Sequence, residues 1–334
     1  MMSADLPLSN QRPAGARPLK RWRDYAFVGG LLLLFLAGLI GLAAATGWEQ
    51  TRAELSRLSL WQFGILLVLS LGNYGLRGLR WHLFTRSLGL RTSLAQNFRH
   101  FLGGFAMSVT PGRIGELVRM RWLSRETGWA IERTAPLALV DRASDLGAMA
   151  LLLGVSVSFG TGMMRGALPI TLLALGTAVL ATRPVLLAAI VTAFYRLTGR
   201  LPRVFARLRH AARSLSTFTS GGVLATALGL GLVGWAAEGY AFSLLLGWFG
   251  TDLGLARAMA IFLFATLAGG LTGSPGGVGG AEAAMIALLS MDGVPLEVSL
   301  TATAIFRVTT LWFAVAIGMV AFPIAERKSS KVGP

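Results

Sequence analysis

Residues 94–116 read LAQNFRHFLGGFAMSVTPGRIGE, and residues 258–282 read AMAIFLFATLAGGLTGSPGGVGGAE. Each is an apolar stretch that breaks at a Pro-Gly turn and ends on an acid. Thr110-Pro111-Gly112-Arg113-Ile114-Gly115 matches Ser274-Pro275-Gly276-Gly277-Val278-Gly279, and Glu116 and Glu282 follow. An arginine then sits inside the next apolar stretch, Arg142 in one case and Arg307 in the other. The numbering differences are 164 from Thr110 to Ser274, 166 from Glu116 to Glu282 and 165 from Arg142 to Arg307. Leu88-Gly89-Leu90 against Leu253-Gly254-Leu255 extends the match. The order of turn, acid and buried arginine predicts an internal repeat.

The surroundings of these stretches set the class. Residues 25–48, 58–76, 146–164, 214–237, 258–281 and 308–325 carry no Asp, Glu, Lys or Arg. Each run is near the roughly 20 residues that cross the hydrocarbon core of a bilayer. Charged residues make up 14% of the chain and mean hydropathy is +0.63, against roughly 25% charged residues in a soluble domain. The net charge of +16 does not point to nucleic acid, because the basic residues fall in loops between apolar runs. There is no cysteine, so no disulfide, thiolate nucleophile or Cys-based metal site is available. His82, His100 and His210 lack ligand spacing and are expected at the surface or the interface.

Basic loops mark the cytoplasmic side. They predict an all-α polytopic membrane protein with about six full spans, two re-entrant hairpins with Pro-Gly turns, and both termini in the cytoplasm. Residues 1–24 form a basic tail, 25–323 the membrane domain and 324–334 a second tail. The first span is expected at about 26–46. Repeat 1 runs over about 60–159 and repeat 2 over about 221–323, joined by an amphipathic cytoplasmic connector at 184–218. Only Arg52, Arg57, Arg165, Arg257 and Arg307 of the 31 basic residues then lie away from the cytoplasmic side. Arg77, Arg80, Arg86 and Arg91 are read as the basic end of the second span. The two halves start on opposite sides, which is an inverted repeat of the kind that gives transporters two related conformations.

Charges inside apolar spans cost about 2.5–3.5 kcal/mol each at mid-depth and imply partners or a polar cavity. Asp141, Arg142 and Asp145 lie within one turn and can pair locally. Glu238 lies alone in its span. Arg307 has no acid within a turn, so its partner comes from another element or is a ligand. A Ser or Thr followed by Pro and Gly starts a helix with free N–H groups, which favours anions. Two such tips beside Arg142 and Arg307 would suit a phosphate-bearing head group. The plainer alternative is that Glu116 and Glu282 satisfy the arginines as scaffold. No Walker motif, His-metal cluster or nucleophile triad is present, so no enzymatic activity, cofactor or metal is expected.

The two turns with their acids, Asp141-Arg142 and Arg307 resemble the lysylphosphatidylglycerol synthase transmembrane family. This is the flippase-like membrane domain of the bacterial multiple peptide resistance factor. The resemblance spans about 60–323 and implies a bacterial inner-membrane, multi-pass protein that moves an amphiphilic, anionic or aminoacylated lipid between leaflets. The soluble transferase domain of the full factor is not expected in this chain. A non-catalytic partner that presents a lipid to a separately encoded transferase, or a small-solute transporter, are the alternatives. The partners admitted are membrane lipids, such a transferase and a second copy of the chain in a homodimer; nucleic acid is not among them. The expected substrate-binding residues are Pro111, Gly112, Arg113, Gly115, Glu116, Asp141, Arg142, Asp145, Glu238, Pro275, Gly276, Gly277, Gly279, Glu282 and Arg307.

Overall fold

The structure, a computed structural model, describes residues 58–110, 114–159, 166–198, 218 and 220–332. The expected first span at 26–46, most of the connector beyond residue 198, and the turn residues Pro111, Gly112 and Arg113 lie outside the described residues. The regular structure among the described residues is all helical. Helix α1 covers Leu60–Ser87, α2 Leu94–Gly104, α3 Ile114–Thr127, α4 Ile131–Phe159, α5 Ala167–Thr182 and α6 Pro184–Thr198. After the connector, α7 covers Gly221–Trp248, α8 Leu255–Leu271, α9 Gly280–Met291, α10 Leu296–Arg307 and α11 Phe313–Val332. A π-helical turn, Val308–Trp312, joins α10 to α11.

Local chemistry explains the boundaries. Ser59 with Gln62 and Ser93 with Gln96 form reciprocal capping boxes that start α1 and α2. Gly89 and Gly254 hold positive φ of 89° and 72°, which glycine adopts without steric penalty, and so turn the chain into α2 and α8. Helices α1 and α7 have 28 residues each. At about 1.5 Å per residue that is about 42 Å, more than the hydrocarbon core of about 30 Å. Gly221–Trp248 and the continuous helix Leu296–Lys331 are both long and apolar enough to cross a membrane. Their outward faces are apolar: Val233 is 60% and Val320 69% exposed. Such surfaces are costly in water and suited to lipid.

The packing of the elements is matched across the chain. Helices α1 and α7 pack on each other most extensively. Helix α4 packs on α8 as α11 packs on α2, and α1 packs on α2 as α7 packs on α8. The arms of each hairpin cross at small residues. A Cβ on Gly115 would collide with the Gly104 carbonyl, and one on Gly269 would come within 2.7 Å of Ala281. Close backbone approach of this kind is what small residues allow between membrane helices. Of four apolar clusters among the described residues, two are large. One joins Phe242, Phe262 and Phe306 with α4; the other joins Tyr74, Trp81, Phe101 and Phe105.

Three readings of the sequence change. Arg77 and Arg80 are not loop charges, because α1 continues to Ser87 and buries both. Arg119 is likewise buried inside α3 rather than placed in a basic loop. His100 is fully buried, with its Nε2 3.2 Å from Glu126 and its ring tilted against Trp122, rather than at the surface.

Candidate functional site: a charged cavity between the hairpins

The site starts from α1 and α4. Residues three apart on a helix share a face, so Arg77 and Arg80 point the same way. Asp141 and Asp145 do the same on α4. Arg80 is 0% exposed and donates through Nε and Nη2 to Asp141 Oδ1 at 3.0 and 2.7 Å. Its Nη2 also reaches Asp145 Oδ1 at 2.8 Å. Arg77 Nη2 donates to Asp145 Oδ2 at 2.8 Å, and Trp235 Nε1 from α7 to Asp145 Oδ1 at 3.1 Å. The two aspartates are therefore held chiefly by another helix; the contact within α4, Arg142 to Asp145, is longer at 3.7 Å.

The hairpins add one arginine–glutamate pair each. Arg142 Nε donates to Glu116 Oε1. Arg307 Nε donates to Glu282 Oε1 at 2.5 Å and its Nη2 to the Gly276 carbonyl at 3.1 Å. The partner that Arg307 lacks on its own helix is thus the acid of the second hairpin. Glu282 also accepts from the Gly279 N–H at 2.7 Å, so it closes the N-terminus of α9 with its own side chain. The tip of the second hairpin meets the first. A Cβ on Gly276 would lie 3.2 Å from Val109 Cγ1 and 3.3 Å from the Ser108 carbonyl.

A cavity of about 480 Å³ lies at this junction. Gly115, Glu116, Arg142, Asp145, Glu238, Gly276 and Arg307 line it, drawn from both hairpins and from α4, α7 and α10. Asp141 lies behind this wall against Arg80. Gly277, Gly279 and Glu282 belong to the second tip but not to the lining, and Pro275 sits in its 3-10 turn. Tyr74, Arg77, Arg119 and Trp235 also line the cavity, and sequence reasoning missed them. The three-residue spacing of Arg77 and Arg80 beside the four-residue spacing of Asp141 and Asp145 was the available signal.

Arg119 and Glu238 differ from the rest. Arg119 is 3% exposed, and its Nε and Nη1 have no hydrogen-bond partner among the described residues. Its guanidinium stands 4.3 Å from the Phe101 ring centroid and 3.9 Å from Asp141. Gly104 makes room for it, since a Cβ there would strike the guanidinium. Glu238 is 5% exposed and makes no hydrogen bond or ion pair among the described residues. The cavity thus offers one incompletely paired cation and one unpaired acid.

The model of the lysylphosphatidylglycerol synthase TM region matches residues 26–318. The chain belongs to this family. Two relatives named UPF0104 membrane protein, both from Methanothermobacter thermautotrophicus, are similar over most of their length. One is 26% identical over 328 residues, covering 87% of this chain and 94% of the relative. The other is 27% identical over 286 residues, covering 77% and 81%. The matched span contains both hairpins, both arginine–glutamate pairs and every cavity-lining residue. The chain is therefore a helical membrane protein of the lysylphosphatidylglycerol synthase TM family, and the family is defined by the synthase's membrane region.

Proposed function

We propose that this chain translocates a phosphate-bearing lipid between leaflets, with the head group in the cavity and the acyl chains left in the bilayer. The observation that carries this reading is the cavity itself: about 480 Å³, walled by both hairpins and lined by four arginines and three acids. That size suits a head group, since ligand pockets run from roughly 300 to 1,000 Å³. Arg119 is the guanidinium with donors to spare, and Arg142 and Arg307 exchange their glutamates for the ligand as it passes. An aminoacylated or otherwise amine-bearing head group finds its counter-charge at Glu238, because Asp141 and Asp145 are already held by Arg77 and Arg80.

The inverted repeat supplies the mechanism. The matched packing of α4 on α8 and α11 on α2 supports it, as do the like pairs Arg142–Glu116 and Arg307–Glu282. Two halves of opposite orientation give two states, each opening the cavity toward one leaflet. In this reading the protein acts by transport rather than catalysis, sits in the inner membrane, and has both termini in the cytoplasm.

Two measurements test it. Proteoliposomes holding acyl-labelled phosphatidylglycerol or phosphatidylethanolamine should show label crossing between leaflets at a rate set by the protein. Probe movement no faster than in empty liposomes refutes lipid translocation. Separately, cysteines placed at Asp292 and Arg203 should react with an impermeant reagent from opposite sides; reaction from one side overturns the inverted repeat.

A further inference from the structure

Four arginines and three acids line the cavity, and Glu238 is the acid that makes no hydrogen bond or ion pair among the described residues. Its surroundings explain why no neighbour comes to it. From α1 it faces Tyr74 and Arg77; Arg77 is bound to Asp145 at 2.8 Å, and the Tyr74 hydroxyl donates to the Thr310 carbonyl. From α10 it faces Arg307, which is bound to Glu282 and Gly276. From α4 it faces Asp145, a like charge. Helix α8 offers Phe262 and Thr266, whose hydroxyl donates to its own helix at 2.9 Å. Glu116 and Arg119 of α3 share the cavity.

A carboxylate so placed is a largely buried charge, and the arginines facing it, Arg77 and Arg307, already hold other acceptors. We propose that Glu238 is a proton-binding site that couples head-group movement to a proton gradient. In the empty cavity its carboxyl holds a proton. When a cationic amine enters, the O–H bond breaks, the proton leaves to water on the side then open, and the carboxylate takes the ammonium. After the cavity reopens to the other side, the ammonium departs and the carboxylate takes a proton from that side. The proton and the amine thus cross in opposite directions and never share the site. This rests on the lipid-translocation reading above, and it names both the amine chemistry of the substrate and the source of drive.

The binding step is tested apart from transport. In weakly buffered detergent micelles, adding short-chain phosphatidylethanolamine to the full-length protein should release about one proton per probe bound. Phosphatidylglycerol, which lacks the amine, should release none. Glu238→Gln should release no proton and bind the amine probe more weakly, and Glu238→Asp, which keeps a carboxyl should the Gln variant fold poorly, should restore the release. Binding of the amine probe by the wild type without proton release overturns the proposal, as does equal release from a folded Glu238→Gln protein. In proteoliposomes, a pH difference should then pull the amine probe uphill by about tenfold per unit. Proton release without any lipid movement keeps the proton site and refutes lipid transport. Lipid movement that ignores the pH difference refutes coupling and keeps lipid transport.

Discussion

The two halves share an arginine–glutamate pair at the hairpin and differ in what lies beneath it. Arg142 and Arg307 are 165 apart, and so are Gly89 and Gly254. Counting the same interval from Arg77, Arg80, Asp141 and Asp145 gives Phe242, Leu245, Phe306 and Thr310. The first half therefore fills its helix crossing with a buried ionic cluster. The second fills the same place with aromatic packing, where Phe242 and Phe306 have ring centroids 4.9 Å apart and Phe262 and Phe306 5.1 Å. Buried ion pairs are commonly replaceable by apolar residues at no loss of stability. The aromatic residues at the same sequence offset are of the apolar kind that such a replacement uses. The ionic version also gives the cavity Arg77 and Asp145, which an apolar core cannot, so we assign it to the site rather than to the scaffold.

The largest expected effect comes from breaking that cluster on one side. Arg80→Ala leaves Asp141 with no close donor and Asp145 with fewer, at full burial. It should cost about 3–5 kcal/mol of stability, read by thermal or denaturant unfolding in detergent. The paired change Arg80→Leu with Asp141→Phe copies the second half and should recover most of the loss. A double variant as unstable as Arg80→Ala would show that the two crossings are not equivalent.

A smaller effect should separate the two hairpin arginines. The Arg142 side chain is 30% exposed and that of Arg307 10%, so the first pair faces the cavity and the second is more closed. Arg307 has the Gly276 carbonyl as a further acceptor. Arg307→Ala should cost about 3 kcal/mol, in the range for a broken buried pair, whereas Arg142→Ala should cost about 1 kcal/mol, nearer to an exposed one. Both should lose lipid translocation. Arg307→Lys should restore most stability but little transport, since an ammonium cannot serve Glu282 and Gly276 with the guanidinium fork. Equal stability losses at the two arginines would remove the asymmetry, and normal transport by Arg307→Ala would make that residue purely structural.

How much could be read from the sequence follows the range of the interactions. Helix α7 begins at Gly221, where repeat 2 is expected to begin, because a long apolar run is a local signal. The turn, acid and arginine order located both ion pairs at the hairpins, 25 and 26 residues apart in the chain. Arg80 and Asp141 are 61 residues apart, and nothing local marks them as partners. The charge rule also misled here, since it takes an arginine at a helix end for a loop cation and cannot know that the helix runs on to Ser87. Glu238 was visible as a buried acid, but that it has no partner among the described residues depends on how four helices spend their donors, which no single segment encodes.

The smallest expected effect concerns how the far ends of the hairpins are held. The first hairpin is pinned at its basic end by carboxylates. Glu126 accepts from Arg99 at 2.6 Å and from Gln96, with His100 beside it, and Glu326 of α11 accepts from Arg121, Trp122 and Arg125 at 2.6–2.7 Å. The second is held by Arg257 donating twice to Asp292 at 2.6 Å. Burial pushes the Glu126 carboxyl up, but His100, Gln96 and Arg99 outweigh it and hold its pKa down to about 2, from an ordinary 4.5. A carboxylate with a depressed folded pKa contributes stability that is complete above its unfolded value and fades as pH falls toward the folded one. The contribution of Glu126 should therefore be intact above about pH 4.5 and decline toward pH 2, by on the order of 1 kcal/mol. Unfolding measured across that window should show a slope that Glu126→Gln reduces. An unchanged slope in Glu126→Gln would mean that the first hairpin does not depend on this carboxylate, and that Glu326 alone fastens its basic end.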